Sequence, residues 1–302
     1  MNQNPKNPAS EAKELERSYK LADIVKQRQH TLTTLALQPG EKVFDIGCGV
    51  GFLTNEMALL VGKSGKVIGF DKNPEMISHA KQRCEDLQQA EFYEGDAAQL
   101  PAEDKTFDAV SCTQVLLYVK DVPKVLTEMR RILKPGGRLV ILETDWRGVV
   151  LNSADDNLTK QIFSAWDSAV PSPNLPIHLG PLLKKHGFSK IRVEAVPILN
   201  TEYSPSNFSH GMMEWITNNA VKQGVFNETQ RIDFLVDLEE RGRSGCYFFC
   251  VNRFSFQQKY SVSHRIGLSA ISRCKAVSLY GFASATSSFS STPIPGSVGG
   301  IT

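Results

Sequence analysis

The chain has 302 residues, 41% of them hydrophobic and 22% charged, with a formal net charge of +2. Such a chain can bury a full core without disulfide staples, and its charge balance argues against a basic nucleic-acid-binding surface. No window has the apolar length of a bilayer span, and the polar first ten residues lack the apolar stretch of a secretory signal.

Six cysteines are scattered at 48, 84, 112, 246, 250 and 274. Cys246 and Cys250 are four apart, and no histidine cluster completes a zinc set. Free thiols in a reducing cytoplasm and no bound metal are expected.

Residues 1–10 read as a disordered N-terminus. A helical pattern then covers 11–37, with apolar Leu15, Leu21, Ile24, Val25, Leu32 and Leu35 among charges. Gln38-Pro-Gly40 breaks it, and Lys42 to Ile46 reads as a short buried strand before a glycine-rich turn. Phe52 to Val61 follows as a helix, Lys66 to Phe70 as a strand, and Pro74 opens a helix to about Leu87. Glu91–Tyr93 and Phe107–Ser111 are further strands. Asp121 caps a helix to Leu133, Lys134-Pro-Gly-Gly137 ends it, and Arg138–Leu142 is the fifth strand.

This alternation implies βαβ units and a parallel sheet. Beyond it, helices near 153–169, 178–186, 205–223 and 228–241 interrupt strand candidates Ile191–Val196 and Cys246–Phe254. From residue 258 the chain is rich in Ser and Gly, no Asp or Glu follows Glu240, and a low-complexity, disordered tail is expected.

The densest signal is Val43-Phe-Asp-Ile-Gly-Cys-Gly-Val-Gly51. A strand delivers Asp45 to its carboxyl end. Gly47, Gly49 and Gly51 then let the backbone turn tightly and approach a ligand, and the next helix aims its N-terminal amides there. A tight turn without ligand would look the same, so spacing matters. Asp71 ends the second strand 26 residues after Asp45, where a nucleoside ribose presents its hydroxyls; a helix cap before Pro74 is the plainer alternative. Asp96 ends the third strand, placed to accept from an adenine amino group or simply to shape a turn. All three acids fall on the carboxyl edge of the sheet, where open α/β folds bind ligands.

From about Glu41 to Leu142 the chain resembles the class I S-adenosylmethionine-dependent methyltransferases, and among them the quinone-type and other small-molecule enzymes. The resemblance rests on Phe44-Asp-Ile-Gly-Cys-Gly-Val-Gly51, Gly69-Phe-Asp71, Gly95-Asp-Ala97, Leu100-Pro101 with Phe107-Asp-Ala109, and Leu133-Lys-Pro-Gly-Gly137. It implies a Rossmann-like, mostly parallel seven-stranded α/β sheet with an antiparallel last strand, here Cys246–Phe254, and a helical lid inserted after the fifth strand. It implies S-adenosyl-L-methionine as cofactor, with Asp45, Gly47, Cys48 and Gly49 against the methionine part. Asp71 and Lys72 would take the ribose, Asp96 and Ala97 the adenine. Thr113, with Gln114, would line the methyl-transfer face. The fourth strand is followed by Thr113-Gln-Val-Leu116 rather than an Asn-Pro-Pro-Tyr type motif, and no Pro-Cys nucleophile occurs. Methylation of nucleic-acid bases is therefore disfavoured.

Methyl transfer from a sulfonium needs alignment and dryness more than acid–base chemistry. Candidates for the acceptor side are Tyr19, Gln114, Tyr118, Asp145, Trp146 and His178. Tyr19 and Trp146 equally suit core packing, His178 a cap or surface role, and Arg28 either a partner for the donor carboxylate or a solvated charge. Cys48 reads as a small buried filler, not a nucleophile. The expected organisation is a methyltransferase domain over 11–257, with the N-terminal helix at 11–37, the donor-binding core at 41–142 and the acceptor lid within 146–241. A small-molecule, largely apolar acceptor is expected, because Trp166, Phe208, Met212, Met213 and Trp215 fall in the lid, with no nucleic-acid partner and a monomer or homodimer. A donor-binding scaffold without catalysis is the first alternative. A nicotinamide-dependent oxidoreductase is the second, disfavoured because Gly47-Cys-Gly-Val-Gly-Phe52 is not G-x-G-x-x-G.

Overall fold

Strand β1 (Lys42–Ile46) is buried from Val43 onward in the computed structural model, which describes residues 16–258. The expectations for residues 1–15, for Cys274 and for the tail from 259 onward lie outside the described residues. β1 pairs in parallel with β2 (Lys66–Asp71) on one side and β4 (Phe107–Thr113) on the other. β3 (Ala90–Glu94) extends the sheet beyond β2, and β5 (Leu133–Thr144) beyond β4, all parallel. β8 (Phe249–Gln258) then runs antiparallel to β5, pairing Thr144 with Arg253, and antiparallel to β7 (Ile191–Asn200) on its other edge.

The expected mostly parallel Rossmann-like sheet with an antiparallel last strand is what forms. Its strand count is eight rather than seven, because the two-residue β6 (Val150–Leu151) pairs with the start of β8 on the β5 side. The last strand also begins at Phe249 instead of Cys246. The amides of Cys246 and Tyr247 are taken by the Arg241 carbonyl, so these residues wrap the end of the preceding helix. It continues through Gln258, which is buried, so the domain runs one residue further than expected.

Side-chain alternation divides the core. Phe44, Ile68, Val110, Leu139 and Ile141 face α4 (Val122–Ile132) and α6 (Leu175–Lys185). Val43, Val67, Ala109 and Val140 face the other way, against α2 (Phe52–Val61) and the end of α1 (Ala22–Leu35). Helix α3 (Pro74–Arg83) starts where Pro74 predicted, capped by Asn73, whose side chain accepts from the Glu75 amide. Asp121 likewise caps α4 by accepting from Lys124.

The insert after β5 forms α5 (Asp156–Ala169), α7 (Phe208–Lys222) and α8 (Glu228–Arg243). These enclose a separate apolar cluster with Trp146, Trp166, Ile198 and Phe249, which also takes in Ile24 of α1 and Leu117. The N-terminal helical pattern is broken at Lys20–Leu21, although neither residue is a helix breaker. Arg28 explains it by turning back to donate to the Tyr19 carbonyl at 2.5 Å.

Leu126 on α4 is wholly buried against the sheet. Leu126→Ala is expected to lower stability by about 2–5 kcal/mol, through lost transfer energy and a residual cavity. A urea midpoint that falls with an unchanged slope is the check.

Candidate functional site

The carboxyl ends of β1, β2, β4 and β5 converge on one edge, and the turn after β1 shapes it. Gly47, Gly49 and Gly51 have φ of 71°, 52° and 82°, all left-handed. At Gly47 an added Cβ would stand 2.1 Å from Val115 Cγ2, and at Gly51 it would stand 2.8 Å from the Ala80 Cβ. Only hydrogen fits at either place.

Asp45, 2% exposed, closes the strand just before this turn. One carboxylate oxygen accepts from Ser111 Oγ at 2.7 Å and the other from Thr54 Oγ1 at 2.6 Å. Burial pushes its pKa up to about 6, against the pull of the two hydroxyls. Asp45 is thus enclosed in the protein. Asp71 stands at the tip of β2 and is only part-buried; its oxygens accept from the Gly49 and Asn73 amides at 2.9 and 3.0 Å. Lys72 and Asp96 are exposed, Ala97 half-buried, and Asp96 accepts from the Ala98 amide. Cys48 is buried, and desolvation raises its thiol well above the ordinary range, so no thiolate is available there.

Tyr19 lies over the glycine turn. Its hydroxyl is 3.1 Å from where a Gly49 Cβ would be, and its ring stacks on Phe52 with centroids 5.6 Å apart. Burial first, then the Asp45 and Asp71 charges, push its pKa up to about 12. Arg28, read as a possible solvated charge, is buried and paired with Glu56 at 3.1 Å.

Past β4, Gln114 is a non-glycine residue at φ 58°. Its side chain is pinned twice to β5, donating to the Leu142 carbonyl and accepting from Thr144 Oγ1 at 2.6 Å. The Thr113 hydroxyl is buried with no hydrogen-bond partner. Tyr118 is 41% exposed at the end of a short 3-10 turn. Asp145 caps the turn Trp146–Gly148. Trp146 is 3% exposed, in edge contact with Trp166 at 5.6 Å, inside the lid's core. His178 is exposed on the first turn of α6 and bonded to none of these residues.

Two charged residues absent from the sequence reading belong to this edge. Glu143 is fully buried; one oxygen accepts from the Val115 and Leu116 amides at 3.0 and 2.7 Å, and the other has no partner. Burial pushes its pKa up to about 7. Arg253 on β8 is 3% exposed and donates from Nε to Thr144 Oγ1 at 3.1 Å. The signal for Glu143 was an acid ending the apolar run Leu139-Val-Ile-Leu142; for Arg253 it was a lone cation among aromatic residues.

Among the described residues no group of three or more His, Cys, Asp or Glu could hold a metal ion, and no helix is long and apolar enough to cross a membrane.

Residues 37–175 match the family model described as a methyltransferase domain. The chain is 43% identical over 119 residues to a demethylmenaquinone methyltransferase of Bacillus cereus (strain ATCC 10987 / NRS 248), covering 39% of this chain and 50% of that one. It is 41% identical over 124 residues to an uncharacterised 37.1 kDa protein in transposon TN4556 of Streptomyces fradiae, covering 41% and 36%. The chain thus spans half or less of the length of these curated relatives. In fold it is similar to a putative methyltransferase from Bacillus halodurans C-125 (TM-score 0.54, 20% identity, 78% of this chain and 100% of that one). It is also similar in fold to Haemonchus contortus phosphoethanolamine N-methyltransferase 2 (TM-score 0.56, 18% identity, 86% and 59%).

Two outcomes follow from this geometry. Gly47→Ala should cost about 2–4 kcal/mol, from a left-handed backbone and the Val115 overlap together, read by urea denaturation. Glu143 has a folded pKa above its unfolded value, so its contribution to stability is complete below about 4.5 and lost as pH rises through about 7. Against Glu143→Gln, the wild type should therefore lose about 3 kcal/mol across that window. Denaturant midpoints of both proteins between pH 4.5 and 8 would show the divergence.

Proposed function

We propose that this chain, which carries a methyltransferase domain at residues 37–175, transfers a methyl group from S-adenosyl-L-methionine to a small, largely apolar acceptor. One observation carries the reading. The left-handed turn Gly47–Gly51 has its Gly49 amide bonded to Asp71, so a tight glycine backbone and a half-open carboxylate face the same sheet edge. A nucleoside with a vicinal diol and an amino-acid tail fits that pairing, because glycine lets the backbone approach and a carboxylate with free lone pairs accepts from both hydroxyls.

When bound, the donor supplies an activated methyl on a sulfonium. The protein's part is to bind, orient and exclude water. Asp71 takes the ribose with Lys72 beside it, and Asp96 and Ala97 border the base. Asp45 acts through the turn, since its own oxygens are engaged by Thr54 and Ser111. Gly47, Cys48 and Gly49 lie along the amino-acid tail. The orphan Thr113 hydroxyl, Gln114 and Tyr118 border the transfer face, with Tyr19 above. Trp146 supports the lid from inside its core, together with the Asp145-capped turn. His178 has the weakest claim of the acceptor-side residues, being exposed and unbonded. The free thiols of the described cysteines suit the reducing cytoplasm we assign to the enzyme.

Asp71→Asn keeps a carbonyl for one backbone amide but loses the charge, removing charge-assisted bonds worth about 1.5–3 kcal/mol each. Affinity for S-adenosylmethionine by calorimetry should fall roughly tenfold or more, with the circular dichroism spectrum unchanged. An unaltered dissociation constant would remove Asp71 from the donor site.

A further inference from the structure

Arg253 is a buried cation with no counter-ion among the described residues. Its Nε donates to Thr144 Oγ1, its guanidinium carbon lies 4.6 Å from the centre of the Phe208 ring, and its Nη1 is buried without a hydrogen-bond partner. Among the described residues no carboxylate lies within ion-pair distance of it. The acids whose charges reach it are already engaged. Asp23 accepts from Asn200 and from the Phe208 amide, and Glu143 from the amides after β4. Burial lowers its pKa to about 10, which still leaves it cationic at neutral pH. An isolated buried charge is costly unless something compensates it.

Its position is as informative as its lack of partner. Arg253 is opposite Thr144 in the β5–β8 register, and Thr144 donates in turn to Gln114 at the end of β4. This hydrogen-bonded line crosses β8, β5 and β4 at the carboxyl edge of the sheet. The second orphan there, Thr113 Oγ1, is on the same sheet face, since its register partner Leu142 is two residues from Thr144. Arg253 is separated from β1 and its glycine turn by two intervening strands, β5 and β4. Along the sheet it therefore lies two strands away from that turn, although its charge reaches Tyr19, which covers the turn.

We propose that Arg253 is the docking group for an anionic oxygen on the acceptor, a carboxylate or an ionised ring hydroxyl, and so sets the substrate class as an apolar body bearing one negative charge. This rests on the methyltransferase reading above. The lid supplies the apolar wall, with Phe208 packed on the guanidinium itself. The anion would accept from the unpartnered Nη1, and a charge-assisted bond in so dry a place discriminates strongly against a neutral analogue.

The test uses the full chain saturated with S-adenosylhomocysteine, whose binding is first measured by calorimetry. Titration with 1-naphthoate, 1-naphthol and 1-naphthamide then compares a carboxylate, an ionisable hydroxyl and a neutral group on one apolar ring system. The naphthoate or the naphthol should bind about tenfold or more tightly than the amide, and whichever does so identifies the source of the anion. Arg253→Gln should abolish that preference while leaving S-adenosylhomocysteine affinity unchanged, and Arg253→Lys should restore part of it. The wild-type comparison stands even if Arg253→Gln does not fold. Equal affinity for all three probes, binding of none, or a preference that survives in Arg253→Gln would overturn the proposal. So would a loss of S-adenosylhomocysteine affinity in that variant, which would give the cation to the donor. Failure of the wild type to bind S-adenosylhomocysteine would instead sink the methyltransferase reading itself.

Discussion

A carboxylate almost sealed from water ends the first strand, and two hydroxyls hold it there. Thr54 reaches Asp45 from α2 and Ser111 from β4, so one side chain ties together three elements. A buried acid left unsatisfied would cost several kcal/mol (about 1–3 or more). The hydroxyl clamp therefore fixes both where α2 begins and how β4 lies beside β1. The glycine turn is the chain between those fixed points. Its left-handed residues are imposed by what closes in on them: Val115 on Gly47 and Ala80 on Gly51. Glycine takes this conformation without strain, and the Asp45 clamp fixes where the chain must take it.

The two faces of the sheet treat charge differently at this edge. Glu143, opposite Phe254 in the β5–β8 register, lies on the face toward the turn after β4 and is met there by backbone amides. Arg253 and Thr144, one residue along, lie on the α1 face beside Tyr19 and Asp23. The acid and the cation are near enough to influence each other's protonation, yet they do not pair. Glu143 is held first by backbone dipoles and then by the Arg253 charge, while Arg253 is favoured by several surrounding charges, Glu143 among them. The edge therefore keeps a localised positive and a localised negative position, instead of one neutralised ion pair.

Much of this was legible from residue order alone. The Val43–Gly51 run announces a buried strand ending in a turn that demands left-handed backbone, and Asn73-Pro74 announces a helix start. These signals are local, and local sterics decide them. What escaped depended on partners far along the chain. Arg253 meets Thr144 at a separation of 109 residues, and the aromatic run around Arg253 does not point to that partner. β6 has only two residues, too few for any alternation to be seen. The break at Lys20–Leu21 comes from Arg28 reaching back to the Tyr19 carbonyl, an interaction no propensity scale registers. Trp146 read equally as acceptor wall or core, and its burial against Trp166 places it inside the lid.

Gln114 shows how these levels connect. A residue with a Cβ at φ 58° costs about 1–2 kcal/mol relative to ordinary backbone. Three contacts with β5 offset this: its amide and its side-chain nitrogen both donate to the Leu142 carbonyl, and Thr144 donates to its side-chain oxygen. Thr144 can donate in that direction because it accepts from Arg253, whose guanidinium has no lone pair to offer in return. The cation at one end can only donate and the Gln114 oxygen at the other, its nitrogen engaged by Leu142, can only accept, so every bond in the line runs one way. A charge on the antiparallel strand orders the hydroxyl of β5, which orders the amide group after β4, which holds the reverse bend where the chain leaves the sheet. The buried cation thus stiffens the bend at Gln114 while its own Nη1 stays without a partner.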